Sequence, residues 1–289
     1  MQQIPENKLT LPVKNAIGIF DSGVGGLSVF KEIRRKLPNH TIFYFADQFH
    51  VPYGPRKLEE VFSLSAVITN FLFELGSEII VIACNAASAA ALYPLRELHP
   101  LKPFVGMEPA VKPAVEKTHT GSVGVLATPA TFQGKLYNSV VERFAKNVKI
   151  YQNTCKGLVQ EIEQGNLNGK STRKILSDAL KPMLEKGIDT VVLGCTHYPF
   201  VIPAIEDIVG PNVTVIDPSP AIANQTLRKI GEFNIINESK EPGKSILITT
   251  GSLMKFQNFI DQVDLNLENI EVKKAIWSKD QLQINFIQE

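Results

Sequence analysis

Residues 79–92 read IIVIACNAASAAAL. The opening run is continuously apolar, which is typical of a strand that is covered on both faces of a parallel sheet. A helical stretch of small residues follows, and Cys84 lies at the turn between the two elements. This segment therefore predicts one strand–turn–helix unit of an α/β fold.

Seven further runs of the same kind flank this unit, with helical patterns between them. In the first half of the chain they are residues 16–21 (AIGIFD), 41–47 (TIFYFAD) and 103–107 (PFVGM). In the second half they are residues 122–128 (SVGVLAT), 148–153 (VKIYQN), 190–195 (TVVLGC) and 213–217 (VTVID). Buried strands that alternate with helices predict parallel, doubly wound sheets built from right-handed βαβ units.

The two series of strands are related by a nearly constant offset. The strand starts 16, 41, 79 and 103 correspond to 122, 148, 190 and 213, so the offsets are 106, 107, 111 and 110 residues. The pattern predicts an internal duplication in which Cys84 and Cys195 are equivalent. The alternative is a chance match, because doubly wound proteins share similar apolar strands.

The final segment, from residue 219 onward, has no counterpart in either series. It contains a predicted helix at 221–229, a strand at 246–250 and a further piece at 270–277. From the residues alone, this segment either extends the second sheet or returns to the first.

The charge balance argues against a polyanionic partner. The chain has 289 residues, which leaves room for two domains, and its formal net charge is 30 − 29 = +1. Its basic cluster, Lys31, Arg34, Arg35 and Lys36, is better explained as a solvated helix end, where cations are favoured. We therefore expect no nucleic-acid partner.

No segment predicts secretion, membrane insertion or a metal centre. Residues 1–15 lack the apolar core of a signal peptide, and residues 79–92 are too short to span a bilayer. The three cysteines lie 71 and 40 residues apart, with no Cys-x-x-Cys pair and no histidine at zinc-binding spacing. We expect a cytoplasmic protein without a membrane partner, a disulfide framework or a structural metal.

Cys84 and Cys195 each end a predicted strand, and ligands of open parallel sheets bind beyond that end. The next residues, Asn85 and Thr196, can form hydrogen bonds, and the following helix turn would lower a thiol pKa. If the two halves pack about a pseudo-two-fold axis, one thiol lies on either side of a ligand in the interdomain cleft. Such a pair suits inversion of a stereocentre, in which one thiol removes a proton and the other returns one. The alternative is an inert buried cysteine in each half.

Two further motifs place polar groups near these thiols. Residues 21–26 read DSGVGG, whose spacing matches neither dinucleotide-binding nor phosphate-binding loops. There Asp21 would tune a thiol and Ser22 would contact a ligand, or Asp21 simply caps a glycine-rich turn. His197 follows Cys195 by two residues and would accept its proton, unless it is a surface histidine.

Residues 47–56, DQFHVPYGPR, are too rich in Pro, Gly and aromatic residues to be a helix. The segment predicts a wall or lid over the site, with Tyr53 and Gly54 offering a hydroxyl and an N–H. Ordinary turn chemistry explains it equally well. Cys155 has no equivalent thiol in the first half, so we expect a structural role for it.

Taken together, the motifs resemble the glutamate racemases of the cofactor-independent aspartate/glutamate racemase family. The resemblance runs from residue 17 to residue 250, through IGIFDSGVGGLSV, FADQFHVPYGPR, ACNAASAAAL, GVLATPAT, LGCTHYPF and TTG. It implies that Cys84 acts on D-glutamate with help from Asp21, and that Cys195 acts on L-glutamate with help from His197. The substrate contacts that it implies are Asp21, Ser22, Tyr53, Gly54, Asn85, Ala86, Thr131, Thr196 and His197.

The resemblance also implies the domain organisation and the biological setting. The first domain would comprise residues 1–106 and 218–289, and the second residues 107–217, with the active site in the cleft between them. The enzyme would need no cofactor, form a homodimer and supply D-glutamate for peptidoglycan. Two residues depart from the family pattern: Ala86 replaces a usual threonine, and Lys156 replaces a frequent proline.

Two other functions fit the same residues. Because Ala86 alters the pocket, the substrate would be aspartate or a hydantoin in the first alternative. In the second, the clefted scaffold is a non-catalytic protein that binds a small amino acid. Matched thiols speak against the second alternative, because binding alone does not require them.

Overall fold

Two mainly parallel sheets form the framework of the computed structural model, which describes residues 12–237, 239–263, 265, 270–278 and 281–285. Its strands are β1 (Ala16–Asp21), β2 (Ile42–Ala46), β3 (Ser77–Ile82), β4 (Phe104–Gly106), β5 (Ser122–Ala127), β6 (Lys149–Asn153), β7 (Thr190–Gly194), β8 (Thr214–Ile216), β9 (Ser245–Thr249), β10 (Ile270–Ser278) and β11 (Gln281–Asn285). Its helices are α1 (Leu27–Lys36), α2 (Leu58–Glu74), α3 (Asn85–Leu98), α4 (Val111–Lys117), α5 (Pro129–Gln133), α6 (Lys135–Phe144), α7 (Leu158–Glu163), α8 (Lys170–Leu184), α9 (Ile202–Val209), α10 (Ser219–Glu232) and α11 (Leu253–Val263), with a short 3-10 helix at Tyr198–Val201. Within the described ranges, no helix is long and apolar enough to cross a membrane.

The strand order confirms the predicted α/β fold and its repeat. The first sheet has the order β11-β10-β9-β2-β1-β3-β4, and the second has the order β6-β5-β7-β8. The second order matches β2-β1-β3-β4 of the first, strand for strand. The register matches too, since Ile17 pairs with Ile42 in the first sheet as Val123 pairs with Ile150 in the second. All eight predicted strands are present, with ends within two residues of those expected.

The C-terminal strands join the first sheet. Strand β9 pairs with β2 in parallel, β10 pairs with β9 in parallel, and β11 closes this edge by antiparallel pairing with β10. Helix α10 packs against α1. Of the two arrangements that the residues left open, the structure has the return to the first sheet.

The apolar runs become the buried layers of each unit. Every residue of β1 and of β5 is buried, and β3 is buried except at Glu78. Helices cover both faces of such sheets, which explains why these strands lack the alternation of half-exposed strands. Rigid strands of this kind fix the positions of the loops at their carboxyl ends.

The basic cluster at the end of α1 is not uniformly solvated. Arg34 is buried and donates to the backbone carbonyls of Leu37, Pro38, His40 and Lys244. Burial lowers the pKa of Arg34 to about 10. The solvated-end interpretation is therefore wrong for Arg34, because the carbonyls of the turn after α1 and of the residue before β9 need a donor.

Candidate active site

The two predicted thiols reach one cavity from equivalent turns. Cys84 has extended backbone at the N-cap of α3, and its carbonyl accepts from the Ser88 N–H at 2.8 Å. Cys195 directly follows β7. Both residues are 5% exposed, and both line the same cavity. The carboxyl ends of the two sheets thus meet, as a pseudo-two-fold arrangement predicts.

The cavity between the thiols is small and is lined largely by predicted residues. Its volume is about 20 Å³, which is room for about one water molecule. Nine of the eleven predicted residues line it: Ser22, Tyr53, Gly54, Cys84, Asn85, Ala86, Cys195, Thr196 and His197. Asp21 and Thr131 are not among the lining residues, whereas Pro52, Thr128 and Val159 are.

Thr128 is a cavity residue that the sequence analysis missed, although the repeat contains a signal for it. Thr128 follows β5 as Ser22 follows β1, and their separation of 106 residues is the offset of those strands. Thr131 lies behind it, with the two hydroxyl oxygens 3.1 Å apart. Thr131 therefore supports Thr128 in this structure, while Thr128 faces the cavity.

Cys84 lies beside Ser22, which connects it to the Asp21 carboxyl group. Its Sγ is 3.9 Å from Ser22 Oγ, and that hydroxyl donates to Asp21 Oδ1 at 3.4 Å. Burial raises the pKa of Cys84 far above its usual value, and the charge of Asp21 raises it further. Hydrogen bonds from the backbone of Ala87 and Ser22 act in the opposite direction but are outweighed. The expected lowering by the helix turn is therefore wrong for Cys84, which rests as a thiol.

Asp21 connects the two units at the floor of the site. Its Oδ1 accepts from the Gly23 N–H at 2.7 Å, and its Oδ2 accepts from Thr196 Oγ1 at 2.8 Å. Burial raises the pKa of Asp21 to about 6, although the charge of His197 and these hydrogen bonds oppose the shift. Asp21 thus accepts a hydrogen bond within its own turn, although Gly26 is the N-cap of α1, and its charge also raises the pKa of Cys84 as the tuning interpretation predicts.

Cys195 has a basic neighbour instead. Its Sγ lies 3.8 Å from His197 Nδ1, and His197 Nε2 lies 2.6 Å from Glu163 Oε1. Burial opposes protonation of His197, but the hydrogen bonds with Cys195 and Glu163 outweigh it and raise the pKa well above its usual value. A protonated imidazole donates from both nitrogens. It can therefore stabilise a negative charge on the Cys195 sulfur. Because His197 is buried, the surface-histidine interpretation is wrong.

Glu163 is the second group that the sequence analysis missed. It ends α7, and besides His197 it accepts from the Val24 N–H and from Gln48 Nε2, both at 2.8 Å. Nothing in the sequence distinguishes it from the solvated charges of an amphipathic helix. Only the packing of α7 against the glycine-rich loop gives it this role.

The glycines of residues 21–26 let the two units approach closely. A Cβ at Gly25 would lie 2.4 Å from His197 Nδ1, and one at Gly23 would lie 1.9 Å from Glu163 Oε1. The glycines therefore leave space for the side chains of His197 and Glu163 from the opposite unit, and not for a phosphate group.

Asn85 presents an unsatisfied amide at the cavity. The residue is 3% exposed, and neither its Nδ2 nor its Oδ1 has a hydrogen-bond partner among the described residues. Leaving both atoms unpaired is costly unless a ligand satisfies them. The amide requires a ligand with both an acceptor and a donor, as an amino acid has.

The loop at residues 47–56 forms a wall of the cavity. The Tyr53 hydroxyl donates to Asp47 Oδ2 at 2.7 Å, so it is engaged away from a ligand and its ring serves as the wall. A Cβ at Gly54 would lie 2.7 Å from Thr128 Cβ, and the Gly54 carbonyl accepts from the Ala130 N–H at 3.0 Å. This contact joins the loop to α5.

The arrangement is suited to proton transfer between two faces of one carbon. Each thiol has its own partner group, Asp21 through Ser22 on one side and His197 on the other. The remaining thiol, Cys155, does not line this cavity. Burial raises the pKa of Cys155 to about 12.

Comparison with known proteins gives one consistent family. The model of the Asp/Glu/hydantoin racemases matches residues 17–226. A glutamate racemase of Roseiflexus sp. is 42% identical over 256 residues, covering 88% of this chain and 94% of the relative. One of Pseudomonas aeruginosa is 48% identical over 213 residues, covering 74% and 80%. The crystal structure of Francisella tularensis glutamate racemase in complex with D-glutamate superimposes with a TM-score of 0.78 at 30% identity, covering 91% of this chain and 97% of that one.

Proposed function

The chain belongs to the Asp/Glu/hydantoin racemase family, and from this premise we propose that it is a glutamate racemase that works by proton transfer between Cys84 and Cys195. One observation carries the proposal: two equivalent thiols, each with its own proton-handling partner, line a single cavity. The names of the relatives support glutamate as the substrate.

In the proposed mechanism, one sulfur removes the proton from Cα as a thiolate, and the opposite thiol delivers a proton to the other face. Inversion exchanges the protonation states of Cys84 and Cys195, so the same site serves both directions. Cys84 acts on D-glutamate and Cys195 on L-glutamate, as the resemblance implies. Asp21 takes up the Cys84 proton through Ser22, and His197 stabilises the Cys195 thiolate.

The Asn85 amide and the start of α3 supply part of the proposed substrate binding. The Asn85 amide pairs with the substrate, which explains why both of its polar atoms are otherwise unsatisfied. The backbone N–H groups at the start of α3, including that of Ala86, bind a carboxylate at the positive end of the helix dipole. The resemblance also implies contacts from Asp21, Ser22, Tyr53, Gly54, Thr131, Thr196 and His197, of which Asp21 and Thr131 do not line the cavity in this closed structure.

The finer organisation of the enzyme is part of the proposal. Residues 1–106 and 218–289 form one domain and residues 107–217 the other, which the membership of the strands in two sheets supports. The resemblance supports a cytoplasmic homodimer that uses no cofactor and supplies D-glutamate for peptidoglycan. Light scattering of the purified chain tests the dimer, since a monomeric mass would contradict it.

The test of the function is turnover of D-Glu, L-Glu, D-Asp and L-Asp by purified protein in deuterated water without added cofactor. We expect both glutamate enantiomers to racemise and to acquire deuterium at Cα. Turnover of aspartate alone would replace glutamate as the substrate. Binding of glutamate without deuterium incorporation would favour the non-catalytic alternative and overturn the proposal.

A further inference from the structure

A second cavity, of about 270 Å³, adjoins the catalytic cavity. The two share Pro52, Gly54, Thr128 and Val159 as lining residues. Because the two cavities have these four lining residues in common, the larger cavity continues the smaller one toward the surface. Lys156 is exposed at its rim. We refer to this larger cavity as the entrance.

The entrance and the catalytic cavity together carry little charge. Among the described residues that line them, Lys156 and His197 have the only basic side chains, and none has an acidic one. His197 is already committed to Glu163 at 2.6 Å. Lys156 forms no hydrogen bond or ion pair with the described part of the chain. Its ammonium group can therefore attract an anionic ligand.

Glutamate carries two carboxylates and one ammonium group near neutral pH, and therefore has a net charge of about −1. An unpaired cation within about 10 Å of its path attracts it, and salt screens this attraction. Lys156 also stands between two residues with left-handed backbone, Cys155 at φ 43° and Gly157 at φ 92°, which fix the turn that presents it. Its own backbone is not left-handed, so other side chains fit there without strain.

We propose that Lys156 captures the anionic substrate electrostatically at this entrance, an inference that rests on the proposed function. Lys156 is not a catalytic residue, because it lies outside the cavity that holds the thiols. It acts on the encounter of enzyme and substrate. Its effect therefore falls on kcat/KM and not on kcat.

The experiment compares kcat and kcat/KM of the full chain with those of its Lys156→Glu, Lys156→Gln and Lys156→Arg variants, at low ionic strength and in about 1 M salt. We expect Lys156→Glu to lower kcat/KM for both enantiomers by about three- to tenfold at low ionic strength, with kcat unchanged. Lys156→Gln should lower kcat/KM less, and Lys156→Arg should retain the wild-type kcat/KM. High salt should remove the differences, which a structural defect would not show.

Lys186→Glu is the matched control. Lys186 is exposed on the turn before the amino end of β7, lines neither cavity and gives the same change of net charge. Equal salt dependence of kcat/KM in the wild type and Lys156→Glu would overturn the inference while leaving the proposed function intact. So would an equal loss in Lys186→Glu. A wild type without turnover would overturn the proposed function, and this inference with it.

Discussion

Cys84 and Cys195 occupy equivalent positions but stand beside groups of opposite character. Burial and the charge of Asp21 raise the pKa of Cys84, whereas the Cys195 sulfur lies 3.8 Å from Nδ1 of the buried His197. The two equivalent sulfurs therefore have different electrostatic surroundings. In the proposed mechanism, a Cys195 thiolate opposite a Cys84 thiol starts the reaction of L-glutamate, and the reverse protonation state starts that of D-glutamate.

Glu163→Gln tests, at the level of a single residue, the role of the contact between Glu163 and His197. Glu163 helps raise the pKa of His197, so its loss should let the imidazole lose its proton at lower pH. Because L- and D-glutamate are equally stable, kcat/KM should fall by the same factor in both directions, about 10- to 100-fold. In the pH profile of kcat/KM, the limb at which activity falls as pH rises should move to lower pH.

Glu161→Gln is the control for this variant. Glu161 lies on the same helix but accepts from Asn166 and Ser171, outside the cavity. Its substitution should leave the pH profile unchanged. An unshifted profile in Glu163→Gln would contradict the role given to Glu163.

At the level of elements, apolar continuity predicted the strands well because these strands are buried on both faces. All eight runs became strands, and β1 is buried throughout. Apolar continuity did not predict β11. This strand pairs with β10 at an edge of the sheet, and that edge exists only in the assembled fold. Glu163 escaped prediction for the same reason, since its partners lie on other elements.

The glycine-rich loop after β1 gives a prediction at this scale. An alanine at Gly25 would place its Cβ 2.4 Å from His197 Nδ1 and 2.7 Å from Thr196 Oγ1. Because both atoms belong to the opposite unit, Gly25→Ala should force the units apart and lower kcat/KM by about 10-fold or more. Activity and thermal unfolding of the purified variant measure this.

Gly231→Ala provides the comparison. Gly231 lies in α10, where an added Cβ meets no atom within 4 Å, so alanine should stabilise the chain by about 0.5–1 kcal/mol and leave activity unchanged. Wild-type activity in Gly25→Ala would show that the loop does not need its close approach to His197.

For the whole molecule, the size of the catalytic cavity implies motion. About 20 Å³ holds one water molecule, so glutamate enters only if the two units separate. Hydrogen bonds that join the two units include Thr196 to Asp21, the Val24 N–H and Gln48 Nε2 to Glu163, and the Ala130 N–H to Gly54. The sequence located the site but not its closed state, because closure depends on contacts between loops of different units.

The central claim is that both Cys84 and Cys195 act on the same Cα, and one measurement tests it most directly. Glutamate of each configuration is incubated in deuterated water with the Cys84→Ser, Cys195→Ser and Cys155→Ser variants, and its configuration and deuterium content are followed. We expect racemisation to fall by about 1,000-fold or more in the first two variants and to persist in the third, since a serine hydroxyl is a far weaker acid than a thiol. Racemisation at the wild-type rate in Cys84→Ser or in Cys195→Ser would contradict the account.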